Sequence, residues 1–207
     1  EQEWIGWKFD TRVLANLPGG AGNDAASYAA AAGPAATKKW QAMRLDAEWL
    51  RILTYDIRLR LAGRAQGSND TLIDAERFTL GATLKPWGSS FGVVERAPWF
   101  DRGGVRGLPE RAVGGDSGAQ ASVELWSRRL FGLDLRGGGF ADAGTVRRKH
   151  PQPGEAAGAS ASSIGLGLHY QWRGNVALSA NVAHLLRGGA VVDAPSQRID
   201  LALTARY

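Results

Sequence analysis

The chain has 207 residues, of which 44% are hydrophobic and 22% charged, with 28 glycines, 8 tryptophans, no cysteine and a formal net charge of +5. Plentiful Trp, Leu, Val and Ile exclude a disordered chain, and the missing thiols exclude a disulfide scaffold or a cysteine zinc site. No stretch reaches the roughly 18 to 20 apolar residues of a membrane-spanning helix, Glu1-Gln2-Glu3-Trp4 lacks the basic and apolar regions of a signal peptide, and charges of mixed sign form no basic run that would mark a nucleic-acid surface.

Period-2 alternation, the mark of a strand with one apolar and one polar face, runs through the chain. In 4–13, Ile5, Trp7, Phe9 and Val13 oppose Lys8, Asp10 and Arg12. The alanine-rich stretch from Ala25 to Ala36 is broken by Gly33-Pro34. A helix is compatible with it, but a surface loop between two strands is expected. In 41–49, Met43, Leu45, Ala47 and Trp49 oppose Arg44, Asp46 and Glu48. In 55–66, Tyr55, Ile57, Leu59 and Leu61 oppose Asp56, Arg58, Arg60, Arg64 and Gln66. Residues 119–126 set Val123 and Leu125 against Gln120, Ser122 and Glu124. In 130–143, Phe131, Leu133 and Leu135 oppose Gly132, Asp134 and Arg136. Gly154 to Ser163 is small and polar, and a loop is expected there. In 163–173, Ile164, Leu166, Leu168, Tyr170 and Trp172 oppose Gly165, Gly167, His169, Gln171 and Arg173. Arg173-Gly174-Asn175 reads as a hairpin turn into 175–183. Finally Ile199, Leu201, Leu203, Ala205 and Tyr207 oppose Arg198, Asp200, Ala202, Thr204 and Arg206.

These are eight strands, each near the roughly 9 to 11 residues of a tilted membrane strand. Long connections near 67–117, 144–161, 187–196 and 18–37 alternate with short ones near 51–54, 127–129 and 173–175. A soluble sandwich also alternates. Segregated long loops and tight turns instead predict an all-β, antiparallel transmembrane β-barrel. The last strand then runs inward, with Tyr207 on the periplasmic side. Tyr170, Trp172 and Trp49, near strand ends, suit the interfacial aromatic girdles.

Enzymatic motifs are weak. Gly115-Asp116-Ser117-Gly118 spells the core of a trypsin-type nucleophile motif, but His150, His169 and His184 all lie downstream and in the wrong order. No two of these histidines have a metal-ligand spacing. Gly137-Gly138-Gly139 lacks the Lys-Ser/Thr of a phosphate loop and reads as glycines within a strand. Neither an enzymatic activity nor a cofactor is expected.

Two segments carry more. The first is Leu72-Ile73-Asp74-Ala75-Glu76-Arg77-Phe78-Thr79-Leu80-Gly81, with Val105-Arg106-Gly107-Leu108 and Gly115-Asp116-Ser117-Gly118 after it. The second is Gly139-Phe140-Ala141-Asp142-Ala143-Gly144. Together they resemble the outer-membrane transporters of two-partner secretion, the hemolysin secretion/activation family, within the superfamily that includes outer-membrane protein assembly factors. That family carries "AEQF-x-LGG", "VRG-aromatic" and "GD-x-G" around a long sixth extracellular loop, and "F-x-D-x-G" on a later strand. The family barrel has sixteen strands. The resemblance implies that residues 1–207 correspond to strands nine to sixteen, the C-terminal half, without the earlier strands, periplasmic domains and leader.

The resemblance further implies that the loop near 67–117 folds into the lumen and that Arg106 pairs with Asp142. Val105, Arg106, Gly107, Phe140, Asp142 and Gly144 would form this latch, flanked by Glu76, Phe78, Gly81, Gly115, Asp116 and Gly118. Even parity places Asp142 on the lumenal face with Asp134 and Arg136. Arg58, Arg60, Asp134, Arg136, His169, Arg198 and Asp200 would line the lumen, and Tyr207 would be the C-terminal barrel signal. The implied function is translocation of an unfolded secreted partner without nucleotide hydrolysis. The implied surroundings are outer-membrane lipid and the barrel assembly machinery, with no nucleic acid. Two features depart from the family: Leu108 replaces the aromatic, and residues 82–104, with Trp87, Phe91, Trp99 and Phe100, add an extra stretch. An outer-membrane assembly factor, a self-contained structural barrel and a soluble β-rich binding protein stay open as alternatives.

Overall fold

A computed structural model gives the fold. It describes residues 6–17, 24–34, 36–81, 83–84, 102–172, 176–188 and 196–205. Eight strands form one antiparallel sheet in the order β1 (Gly6–Ala15), β2 (Gln41–Ile52), β3 (Arg58–Ser68), β8 (Ser117–Trp126), β9 (Leu135–Arg147), β10 (Gly158–Trp172), β11 (Val176–Arg187) and β12 (Gln197–Ala205). Four short strands sit in the connection between β3 and β8. Of these, β4 (Phe78–Leu80) pairs with β7 (Val113–Gly115), and β5 (Thr83–Leu84) pairs with β6 (Arg102–Gly103). The sheet is open: β1 and β12 are its edges.

The eight expected strands are the eight strands of this sheet. The alternation that predicts them resolves into an inverted burial pattern. Apolar side chains stand exposed on one face: Trp7, Phe9, Leu125, Leu166 (71%), Ile199, Leu201 and Leu203 (70%). Charged and polar side chains are buried on the other: Arg58, Arg60, Glu124, Arg136, Asp142 and His169. In water this arrangement exposes large apolar area at roughly 25 cal/mol per Å². It is the patterning of a sheet whose outer face meets lipid and whose inner face is polar.

Several boundaries differ from expectation. β9 starts at Leu135, not at 130, because residues 127–134 form a turn with Phe131 and Gly132 at φ 55° and 69°. Phe131 and Leu133 continue the odd-even rhythm of the strand, which is why periodicity alone overruns the turn. β3 likewise begins at Arg58, because Tyr55 and Asp56 take φ near +60° in the turn of residues 53–57. The stretch from Gly154 to Ser163 is only half loop, since β10 starts at Gly158. The expected turn at Arg173-Gly174-Asn175, the extra aromatics Trp87, Phe91, Trp99 and Phe100, and Tyr207 lie outside the described residues.

The alanine-rich stretch is a helix, α1 (Ala25–Ala32), rather than a plain loop. Asp24 caps it, accepting from the Ser27 N–H and the Ser27 hydroxyl at 2.9 Å each. Tyr28 fixes the helix to the sheet: its hydroxyl accepts from Trp40 Nε1 (3.2 Å), and it packs with Trp40, Ala42 and Leu72. A second apolar cluster lies on the inner face and joins Phe78, Leu80, Val105 and Leu108 of the long loop to Val146, Ala159 and Ala161 of β9 and β10. The loop is therefore packed against the inside of the sheet.

Candidate functional site

The site is built on a tight turn of the long loop. The N–H of Leu108 donates to the carbonyl of Val105 (3.3 Å), and Gly107 at φ 101° occupies the third position, where a side chain would be strained. Val105 and Leu108 are fully buried in the apolar cluster. They anchor the turn, and Arg106 between them projects onto the inner sheet face.

Strand register brings the receiving residues together. Ser122 of β8 lies opposite Asp142 of β9, and Glu124 lies opposite Phe140. Arg60 of β3 lies opposite Glu124 from the other side. Arg106 engages all of them. Its Nε donates to Asp142 Oδ2 (2.8 Å) and its Nη2 to Asp142 Oδ1 (2.7 Å), a two-pronged fork. Its backbone N–H also donates to Asp142 Oδ2 (3.0 Å). Nη2 reaches the Ser122 hydroxyl (2.9 Å), and Nη1 pairs with Glu124 Oε1 (2.8 Å). The guanidinium carbon lies 3.5 Å from the centroid of the Phe140 ring.

The carboxylates have further partners. Ser122 Oγ donates to Asp142 Oδ1 (2.7 Å), and Glu124 accepts from Trp126 Nε1 (3.0 Å). Arg60 bridges Glu124 (3.3 Å) to Glu48 (2.6 Å). Glu48, Arg60, Glu124, Arg106 and Asp142 thus alternate in sign along one chain of contacts. Arg106, Glu124 and Asp142 are each at most 3% exposed. Removing one member of such a buried network leaves an uncompensated charge and costs about 3–5 kcal/mol.

The flanking motif seats the shoulders of the loop. Glu76 pairs with Arg44 of β2 (2.7 Å), and the Glu76 carbonyl accepts from Arg44 and from Gln66, both at 2.9 Å. Phe78 lies over Gly118 of β8, and Leu80 over Gly144 of β9. A Cβ at Gly118 would stand 2.5 Å from Phe78 Cδ1, and one at Gly144 would stand 2.6 Å from Leu80 Cδ2. Both motif glycines are seats for loop side chains. Gly115 has a different cause, close approach of two backbones, since a Cβ there would meet the Arg147 carbonyl at 2.7 Å, and Gly81 turns the chain at φ 124°. Asp116 is buried, and its carboxylate accepts two backbone N–H groups, from Leu72 (2.7 Å) and from Lys149 (2.7 Å). It ties the start of the long loop to the β9–β10 loop. Ser117 Oγ accepts from the Ser68 N–H (3.1 Å), so the Gly-Asp-Ser-Gly run is engaged in structural bonds.

The expected lumenal residues fall into three groups. Arg60 belongs to the Arg106 network. Arg58, Arg136 and His169 are buried on the inner face, toward the short-turn end. There Arg136 donates to the carbonyls of Asp56 (3.1 Å) and Ser127 (2.9 Å) and pairs with the Asp56 carboxylate (2.8 Å). It clasps two neighbouring turns. Arg198 and Asp200 on β12 pair with each other (2.9 Å), and Arg198 also donates to the Leu108 carbonyl (2.8 Å) at the base of the Arg106 turn. Asp134 lies one residue before β9, and its carbonyl accepts from the Gln171 N–H (2.9 Å), which continues the β9–β10 ladder, while its half-buried carboxylate pairs with the exposed Arg129 (3.2 Å).

Sequence reasoning missed Glu124, Ser122, Glu48 and Trp126 as members of the site. Parity places Glu124, Ser122 and Glu48 on the polar face. Their meeting depends on strand register, which alternation does not give.

With this geometry, a sequence profile described as the Omp85 superfamily domain matches residues 6–178. No curated relative matches the chain. Among solved structures the fold is similar to CdiB from Acinetobacter baumannii, with a TM-score of 0.57 and 18% identity over 82% of this chain. The match spans 27% of that protein's chain, about a quarter of its length. At this identity the likeness speaks to fold.

Proposed function

The chain belongs to the Omp85 superfamily, and we propose that it is the C-terminal half of a sixteen-strand, two-partner secretion transporter of the hemolysin secretion/activation kind. In this reading the barrel sits in the bacterial outer membrane and passes an unfolded secreted polypeptide without hydrolysing nucleotide. Residues 1–207 supply eight strands, and the loop of residues 69–116 is the inward-folding loop.

The observation that carries the proposal is the Arg106 turn docked on Asp142 and Glu124. A loop held inside a barrel by ion pairs closes the lumen without covalent attachment. Such pairs are exchangeable: water, or the charged side chains of an entering polypeptide, can replace each partner in turn. A few kcal/mol per network is within what differential binding can shift, so opening needs no nucleotide. The mixed-charge inner face, with Arg58, Arg136, His169 and Asp200, gives an extended chain polar contacts beside the apolar seat of the loop.

The test is secretion by the full-length protein with its partner. Arg106→Ala and Asp142→Ala are expected to reduce the partner in the culture medium while the barrel still reaches the outer membrane. Unchanged secretion in both variants sinks the assigned role of the loop.

A further inference from the structure

The outer face of the sheet carries a second, unassigned feature at its long-loop end. The outward residues of β10 read Trp172, Tyr170, Leu168, Leu166 and Ile164 from the short-turn end, and then Ser162 and Ser160. The apolar part spans about 26 Å along the strand at 3.3 Å per residue, or roughly 20 Å of height at a 40° tilt. The serines begin where the apolar band stops.

Beside them lies a groove of about 500 Å³ whose lining includes Thr145, Arg147, Gly158, Ser160 and Arg187. Register assembles it. Ser160 lies opposite Thr145 and Gly158 opposite Arg147, while Arg187 lies opposite Ser162. Arg187 reaches the outer face through a β-bulge: Ser163 pairs with Leu185, Ser162 pairs with Arg187, and Leu186 is the extra residue. Without the bulge, Arg187 would share the inner parity of Leu185.

The two guanidiniums differ from their neighbours. Arg148, next in sequence, pairs with Glu155 (2.8 Å), but neither Arg147 nor Arg187 has an ion pair with a described residue. Both are exposed. The Ser160 hydroxyl donates to Thr145 Oγ1 (3.2 Å), and Thr145 donates to the Ala159 carbonyl (3.1 Å). Two guanidiniums without an ion pair among the described residues and a hydroxyl pair thus flank one groove on the rim of an apolar surface.

We propose that this groove binds a phosphate of a phosphorylated glycolipid headgroup in the outer leaflet. Guanidinium forks match phosphate oxygens. The band formed by Ile164, Leu166 and Val182 directly below would take the acyl chains. That continuity of charge and apolar surface favours an anchored lipid over a free anion. The inference rests on the membrane-spanning reading of the sheet, and it adds a binding site that translocation does not need.

The full-length protein, placed in phosphatidylcholine nanodiscs doped with diphosphoryl lipid A, tests it by native mass spectrometry. The wild type is expected to retain lipid A when released from the discs. Arg147→Gln combined with Arg187→Gln is expected to lower that retention roughly tenfold or more, with phosphatidylcholine retention, heat-modifiable mobility and partner secretion unchanged. Excess inorganic phosphate is expected not to displace the lipid. Should the glutamine pair misfold, Arg147→Lys with Arg187→Lys keeps the charge, loses the fork and is expected to give a partial loss. Equal lipid A retention in folded variants overturns the site. Displacement by inorganic phosphate overturns the lipid assignment in favour of a free-anion site. Failure of the wild type to enter nanodiscs would overturn the membrane reading itself, whereas failed secretion with intact lipid retention would overturn translocation alone.

Discussion

Replacing Arg106 with alanine removes, in one step, the fork to Asp142, the pair with Glu124, the bond to Ser122 and the contact with the Phe140 ring. The backbone bond from Arg106 N–H to Asp142 survives in geometry, as does the apolar seat of Val105 and Leu108. The loss is therefore that of the ionic part alone, at the lower end of the 3–5 kcal/mol for breaking a buried pair, because the undocked loop lets water reach both carboxylates. About 3 kcal/mol is roughly a hundredfold rise in the undocked-to-docked ratio. The chain has no cysteine, so a single thiol introduced at fully buried Val105 reports docking without background from these residues. Val105→Cys is expected to react slowly with a maleimide in the parent loop. With Arg106→Ala added, the reaction is expected to be about a hundredfold faster in the regime where reclosing outpaces labelling. Arg106→Lys, which keeps one bond and loses the fork, should fall between. Labelling rates within about twofold of each other, parent against Arg106→Ala, would refute the claim that the ion pairs hold the loop, and would leave the apolar cluster as its anchor.

Three further outcomes follow from the same geometry. Leu166→Arg, on the exposed apolar face, is expected to destabilise the barrel by about 2–4 kcal/mol in a bilayer, seen as a lower urea midpoint for unfolding from liposomes; a neutral effect there would mean that this face does not meet lipid. Asp116→Asn can accept from only one of the Leu72 and Lys149 N–H groups in the present orientation and is expected to cost about 1–3 kcal/mol locally. Trypsin cleavage after Arg148 and Lys149 should accelerate, while cleavage elsewhere in the β9–β10 hairpin should not. Gly118→Val intrudes on Phe78 and on the Thr145 carbonyl and is expected to cost about 1–3 kcal/mol through overpacking. Its signature is a looser loop with the eight strands retained, read as faster Val105→Cys labelling with unchanged strand content by circular dichroism.

The strands were legible because lipid on one face and a polar lumen on the other force strict alternation, and Ile199, Leu201 and Leu203 keep it without a break. The turns were less so. Leu133 and Phe131 extend the strand rhythm through residues that double back, and only the φ values of Phe131 and Gly132 reveal it. The α1 helix was hidden because its stability comes from a distant contact, Tyr28 with Trp40 and Leu72, rather than from its own amphipathicity. In the site, Arg106 and Asp142 were paired through motif resemblance. Glu124 was placed on the correct face by parity, but its meeting with both Arg60 and Arg106 depends on the register of β3 against β8. No short turn encodes that register, since the two strands are joined by the long loop itself.

That last arrangement gives the Arg136 clasp a mechanical meaning. In most antiparallel pairs a short hairpin sets the alignment, and slipping by one residue would turn every side chain to the opposite face. Between β3 and β8 such a slip would send Arg60 and Glu124 into lipid. The alignment is instead fixed from the far end, where Arg136 ties the turn of residues 53–57 to that of residues 127–134. A loop that leaves its seat can therefore pull on the open ends of β3 and β8 without shearing one past the other. For a loop so displaced, Asp142, Ser122 and Glu124 would stay at the same addresses to receive it again.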